Sequence, residues 1–233
     1  MNTPDTRALD AKPTHLKLPA TADDLARLRV GEVVYLDGVV YTGREGVYQR
    51  VLEDGVALPL ALPQTSAVNF HCSPAAAVVG DGVGDGAYRV GGVTATASFR
   101  FSKWMARWFA VSGANIIIGK GGMSAADYRD LFVPAGAVYL TTVGYGSGAL
   151  LGRGIVRVRD VFWLAELGNA QALWVFEVAR FGPFLVESDL AGNSLFEQQS
   201  ARVNANIESL YRGLKAPALS RFGETDDRKD ELI

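Results

Sequence analysis

The chain has 233 residues, enough to bury one sizeable hydrophobic core. Its 48% apolar and 21% charged residues mark it as globular, and a net charge of −2 argues against a broad nucleic-acid footprint. No apolar run reaches the roughly 18 residues of a membrane span, and the opening MNTPDTRALDAKPTH has no apolar signal core, so a cytoplasmic protein is expected.

Residues 1–14 are mostly polar, contain Pro4 and Pro13, and read as an arm. Leu16 to Pro19 alternates as a short edge strand would, and Thr21 with Asp23 and Asp24 signals the start of a short helix ending by Arg29. Val33–Leu36 and Val39–Thr42 read as two strands, with Asp37-Gly38 between them as a tight hairpin turn. Arg44 follows in a post-strand loop. A guanidinium there can grip a carboxylate in bidentate fashion, or it can simply be solvated. A helix is expected to begin near Tyr48, a loop at Leu58–Leu62, and a strand at Ala67–His71. The run Gly80–Gly86 is glycine-rich without the spacing of a nucleotide loop, so it is expected to be a turn.

The stretch from Gly91 to Met123 carries the most chemistry. Thr94, Thr96 and Ser98 put hydroxyls in what reads as a polar loop. Phe101, Trp104, Met105, Trp108 and Phe109 then follow the spacing of an amphipathic helix, and Ser112-Gly113 suits its end. Ile116–Ile118 is a β-branched run of the kind found in a strand covered on both faces, and Gly119-Lys120-Gly121-Gly122 closes it. Free N–H groups at a helix start, Arg100 and a lysine flanked by glycines together suit a small carboxylate or phosphate. The same residues also fit a surface loop and a solvated lysine, and the P-loop spacing is absent.

Downstream, Ser124 to Asp127 resembles a capping box opening a helix to about Phe132. Strands are expected at Ala137–Thr142 and Val156–Trp163, and a strand pair at Leu173–Val178 and Phe184–Glu187 bracketing Gly182-Pro183. Gly144, Gly146 and Gly148 read as a loop, Leu195–Leu214 as a polar amphipathic helix, and Ser220 onward as a loose charged tail. Cys72 is the one cysteine, so this chain can neither close an internal disulfide nor hold a metal cluster. His15 and His71 are too few for a zinc site, and His71 is expected to be structural.

From Gly91 to Met123 the sequence resembles the core of the C-terminal domain of class I fumarases and of the β subunit of L(+)-tartrate dehydratases, an iron–sulfur hydro-lyase family. That family's motif is of the type G-P-T-T-x-x-R-M-[DE], a helix, then G-K-G-G-M. Aligned without gaps, Thr96, Arg100 and Lys120 fall on its threonine, arginine and lysine. Tyr41-Thr42-Gly43-Arg44-Glu45 resembles its T-x-R-D element, and Phe70-His71-Cys72-Ser73-Pro74 its F-H-A-G-P. The resemblance covers roughly His15 to Glu197.

The resemblance implies an α/β fold with a mixed sheet and flanking helices, like the swivelling-type C-terminal domain of class I fumarases. The implied organisation is an arm at 1–14, the domain at 15–197, and a C-terminal helix with its charged tail at 198–233. The implied function is that of the β subunit of a hydro-lyase acting on a small hydroxy-dicarboxylic acid of the fumarate/malate or tartrate type. Arg44, Arg100 and Thr94 would bind the substrate, Lys120 would assist catalysis, and Thr96 would sit at the proton-transfer position. The chain itself would bind no metal. A [4Fe-4S] cluster would come from a partner α subunit in a hetero-oligomer, with neither nucleic acid nor membrane as a partner. Several motif positions differ: Thr94 and Ala95 replace glycine and proline, Ala97 the second threonine, Ser102 the acid, and Tyr48 an expected histidine. These leave two alternatives open, a non-catalytic carboxylate-binding or assembly subunit and a recruited cluster-free lyase or isomerase.

Overall fold

The computed structural model describes residues 12–59, 62–80, 87–144 and 146–210. In chain order the elements are β1 (Thr14–Lys17), α1 (Ala22–Ala26), β2 (Val33–Thr42), α2 (Glu45–Tyr48), α3 (Leu62–Thr65), β3 (Val68–Phe70), β4 (Cys72–Val78) and β5 (Tyr88–Ala95). Then come α4 (Ser102–Ser112), β6 (Ile116–Gly119), α5 (Ala125–Asp127), β7 (Val138–Thr142), α6 (Ser147–Gly154), β8 (Ile155–Phe162), α7 (Leu164–Leu167), β9 (Leu173–Ser188) and α8 (Leu195–Leu210). α2 and α5 each run on into a wider π turn, over Gln49–Glu53 and Tyr128–Phe132, and a 3₁₀ turn at Phe99–Phe101 leads into α4. Chain contacts divide the protein into one unit ending at Phe196 and a second from Glu197 onward, whose described part is the rest of α8.

The main sheet has the order β1-β2-β3-β6-β7-β9-β8, and β9 also pairs back onto β2. β2, β3, β6, β7 and β9 therefore close on themselves as a small barrel. β2–β3, β3–β6 and β6–β7 are parallel, while β9 runs antiparallel to β7, β2 and β8. β4 and β5 form a separate antiparallel ribbon. This is the α/β fold with a mixed sheet and helices that the sequence implied.

Closure explains why the isoleucine run is buried throughout. Strand side chains alternate between two faces. Ile116 and Ile118 join Val34, Phe70, Val138, Leu140 and Phe176 in one apolar cluster. Ile117 points the other way, into a second cluster with Tyr41, Tyr48, Trp104, Trp108, Tyr139 and Val175. α4 lies over that second face. Its Trp104, Met105, Trp108 and Phe109 are buried at helical spacing, and Gly113 ends it in the left-handed conformation. α1 begins with the expected cap: Thr21 and Asp24 exchange side-chain to backbone hydrogen bonds. Ser124 and Asp127 do the same at α5.

Five expectations are corrected. Asp37-Gly38 is not a hairpin turn, because β2 runs unbroken through it. Pairing with β9 shifts register on both sides of Leu36, so the dipeptide sits in a bulged stretch, and Asp37 Oδ1 there accepts the Arg180 N–H. Likewise Leu173–Val178 and Phe184–Glu187 are halves of one strand, β9, whose Gly182-Pro183 lies in the same irregular stretch; a proline is tolerated where the ladder is interrupted. Thr94 belongs to β5, opposite Ser73, and not to a loop. Gly146 and Gly148 do not make a loop. Gly146 caps α6 and Gly148 lies within it, where a Cβ would come 2.5 Å from the Val93 carbonyl oxygen. Leu62 opens α3 where a loop was expected, and 81–86, within the expected Gly80–Gly86 turn, lie outside the described residues, as does everything after Leu210.

Candidate functional site

The site forms where β3 and β6 end side by side and the chain leaving β5 joins them. His71, just past β3, donates its backbone N–H to Ile118 O at 2.8 Å and accepts the Thr96 N–H on its carbonyl at 2.6 Å. Thr96 O in turn accepts the Lys120 N–H at 3.1 Å, and Lys120 O accepts the Ser98 N–H at 3.3 Å. Ala97 and Lys120 thus form a parallel bridge. Thr96 and Lys120, 24 apart in sequence, are thus held as backbone neighbours by main-chain bonds.

This arrangement requires a glycine at 119. A Cβ there would overlap Ser98 Oγ and lie 2.5 Å from the Tyr139 hydroxyl. Thr96 and Ser98 are buried, while Arg100 and Lys120 are exposed. The Ser98 side chain makes no capping bond to the helix that follows. Its hydroxyl is used inside the protein, 2.6 Å from His71 Nδ1 and accepting from the Tyr139 hydroxyl at 2.7 Å.

Arg44 reaches the site from the other side. It caps α2 directly after β2, is half-buried, and donates from one terminal nitrogen to Ala170 O at 2.7 Å. Its Nε is buried with no acceptor. Burial and then the nearby Arg100 guanidinium hold the Arg44 pKa below its ordinary value. His71 feels both arginines: burial, then Arg44 and Arg100, push its pKa down to about 3. No carboxylate among the described residues forms an ion pair with Arg44, Arg100 or Lys120. A half-buried guanidinium destabilised by a neighbouring one and left with an unused buried N–H suits a small anion beside it.

Of the residues singled out from sequence, the structure brings Thr96 and Lys120 into backbone contact and sets Arg100 close enough to Arg44 to help hold the Arg44 pKa down. Thr94 stands two residues back, exposed, inside β5.

Over residues 2–199 the sequence matches the family described as Fumarase C-terminus. The chain belongs to that family. It is 32% identical over 193 residues to a protein of Methanocaldococcus jannaschii provisionally named L(+)-tartrate dehydratase subunit beta, covering 82% of this chain and 94% of the relative. It is 29% identical to the L(+)-tartrate dehydratase subunit beta of Escherichia coli K12, covering 78% of this chain and 86% of the relative. It is also 29% identical to a protein of Geobacillus stearothermophilus provisionally named fumarate hydratase class I, matching 33% of that longer chain. The chain is thus related to hydro-lyase subunits.

The residues of this fumarase C-terminal domain do not fit an iron–sulfur cluster. Cys72 is its one thiol; it is buried at the start of β4, and burial pushes its pKa well up despite the nearby Arg44 guanidinium, the reverse of what a thiolate ligand needs. Among the described residues no three His, Cys, Asp or Glu side chains gather as a metal site, and no helix is long and apolar enough to cross a membrane.

Sequence reasoning missed the buried polar layer beneath the site. The Tyr48 hydroxyl lies 2.7 Å from His71 Nε2 and accepts from Asn69 Nδ2 at 2.5 Å. Asn69, Ser98 and Tyr139 gave no sequence signal of this role, because a buried network among residues from four separate parts of the chain has no local pattern. The one available hint was the histidine next to the end of an apolar strand.

Proposed function

We propose that this chain is the β subunit of a hydro-lyase that adds or removes water on a small hydroxy-dicarboxylic acid of the fumarate/malate or tartrate type. The observation that carries this reading is the pair Arg44 and Arg100 without a carboxylate partner among the described residues, beside Thr96 and Lys120. In this reading Arg44, Arg100 and Lys120 hold the substrate carboxylates, and the Thr94 hydroxyl contributes at the rim. The Thr96 hydroxyl takes or returns the proton on the carbon next to a carboxylate. A threonine is a weak base unaided, so the alkoxide would need the charge of Lys120, whose backbone adjoins that of Thr96, to stabilise it. Departure of hydroxide is assigned to no residue of this chain. The [4Fe-4S] cluster of the proposed enzyme belongs to a partner α subunit, consistent with the subunit naming of the tartrate dehydratase relatives. The arm at 1–14, domain at 15–197 and tail at 198–233 complete the proposed organisation, in a cytoplasmic hetero-oligomer.

The test is anaerobic co-purification with the α-type hydro-lyase subunit of the same genome, followed by turnover of fumarate, malate and L-tartrate. A coloured complex with turnover of one of them, abolished by Lys120→Ala, is expected. A complex that turns over none of these, with a Lys120→Ala chain that binds dicarboxylates as well as wild type, would reject the reading.

A further inference from the structure

His71 joins the two walls of this site without being exposed to it. One wall is the segment Thr96–Arg100, which His71 holds twice. Its carbonyl accepts the Thr96 N–H, and its Nδ1 meets Ser98 Oγ. The other wall is α2, which begins at Arg44. Tyr48 ends that short helix, with its N–H bonded to Arg44 O at 3.0 Å, and its hydroxyl meets His71 Nε2. His71, Tyr48 and Ser98 are all fully buried. The ring is clamped further by Phe101, edge-on at 4.8 Å, and by the Tyr48 ring at 5.9 Å. Asn69 and Tyr139 complete the layer, one donating to Tyr48 and the other to Ser98.

We infer that His71 is the positioning residue that fixes Arg44, relative to Thr96 and Arg100, by bonding Tyr48 on one side and Ser98 on the other. The inference rests on the proposed function for what the positioned groups do, though not for the coupling itself. It follows from three physical facts. An imidazole is rigid and planar, and its two nitrogens lie on opposite edges, so a ring bonded at both sets a fixed spacing between its partners. Both partners are buried, where a lost hydrogen bond is not replaced by water and the layer must rearrange. Each partner is within four residues of a proposed substrate-binding side chain: Tyr48 of Arg44, and Ser98 of Thr96 and Arg100. Placing a carboxylate clamp and a proton-transfer hydroxyl on separate segments leaves their spacing undefined unless a rigid group spans them, and a misplacement of about 1 Å costs on the order of a hundredfold in rate.

The prediction is coupling between residues that share only His71 as a common partner in this network. In the complex with its partner subunit, Tyr48→Phe and Ser98→Ala each remove one bond to the ring while leaving it in place. With whichever of fumarate or L-tartrate the wild-type complex turns over, each variant should lower kcat/KM on the order of tenfold. Tyr48→Phe should act mainly through KM and Ser98→Ala mainly through kcat. The double variant should be little worse than the poorer single one, since either cut releases the same spacing. Multiplicative losses, or losses only in melting temperature with kcat/KM intact, would overturn the inference. A second readout needs no activity: hydrogen exchange of the Thr96 N–H, which bonds to His71 O. Tyr48→Phe should speed it at least tenfold although Tyr48 does not bond to Thr96, and an unchanged rate would overturn the inference. If the wild-type complex turns over neither acid, the proposed function has failed while the exchange experiment still decides the positioning.

Discussion

Replacing His71 with glutamine should remove about 2 kcal/mol of the stability the protein loses between pH 8 and pH 5. The imidazole is fully buried, and burial together with Arg44 and Arg100 depresses its pKa to about 3, against about 6.5 in an unfolded chain. Because the folded value is the lower one, folding favours the neutral ring. The stability this represents is present above pH 6.5 and is lost as the pH falls from 6.5 toward 3. At pH 5 the unfolded chain carries almost a full proton on this ring and the folded protein almost none. At 1.36 kcal/mol per unit over about 1.5 units, the loss from pH 8 to pH 5 is about 2 kcal/mol. Any folded pKa below about 4 gives nearly the same figure. The groups facing the ring cannot soften this: Arg44 and Arg100 are cations, and Tyr48 and Ser98 are neutral. The assay is urea unfolding followed by tryptophan fluorescence at pH 8, 6.5 and 5, on wild type and His71→Gln at one protein concentration. The carboxylates titrate alike in both proteins, so the difference between the two pH dependences isolates His71. Equal losses in the two proteins, within about 0.5 kcal/mol, would refute the reasoning, as would a His71 ring resonance that titrates near pH 6.5 in the folded protein.

Gly119→Ala should destabilise by about 3 kcal/mol, since its methyl would strike Ser98 Oγ and the Tyr139 hydroxyl in a buried polar layer. Adding Ser98→Ala should recover part of that loss, and a Gly119→Ala protein within 1 kcal/mol of wild type would show the backbones less close than described. Trp108 is fully buried, with its ring centroid 4.8 Å from that of Tyr48, so Trp108→Ala should cost about 3–5 kcal/mol in urea unfolding.

Much of the site's frame was legible in the sequence because it is written in local patterns. The helical spacing from Phe101 to Phe109, the isoleucine run and the glycines around Lys120 each name an element through a periodicity or a conformational limit. The caps at Thr21 and Ser124 were equally plain, since a hydroxyl three residues before an acid satisfies two backbone donors at once. The misreadings share one cause. Asp37-Gly38 and Gly182-Pro183 carry turn residues, and a turn is the locally cheapest outcome. β2 and β9, however, pair with each other, and the sheet absorbs both dipeptides in one bulged stretch. Likewise, Thr94 and the glycines from Gly146 read as loop until β5 and α6 are seen packed face to face.

The sequence by itself determined the composition of the proposed site: Arg44, Thr96, Arg100 and Lys120 at spacings that resemble one family's motif, with a single cysteine, too few to hold an iron–sulfur cluster. Those are properties of residue identity and order, which folding does not change. Only the tertiary structure decided that the barrel closes through β9 onto β2, that Thr96 and Lys120 lie on adjacent backbones, and that Arg44 and Arg100 share one field. It alone put a neutral histidine between Tyr48 and Ser98 beneath them. The reason is physical: a long-range hydrogen bond or a charge–charge distance depends on where two distant segments come to rest, and no local pattern in either segment encodes that.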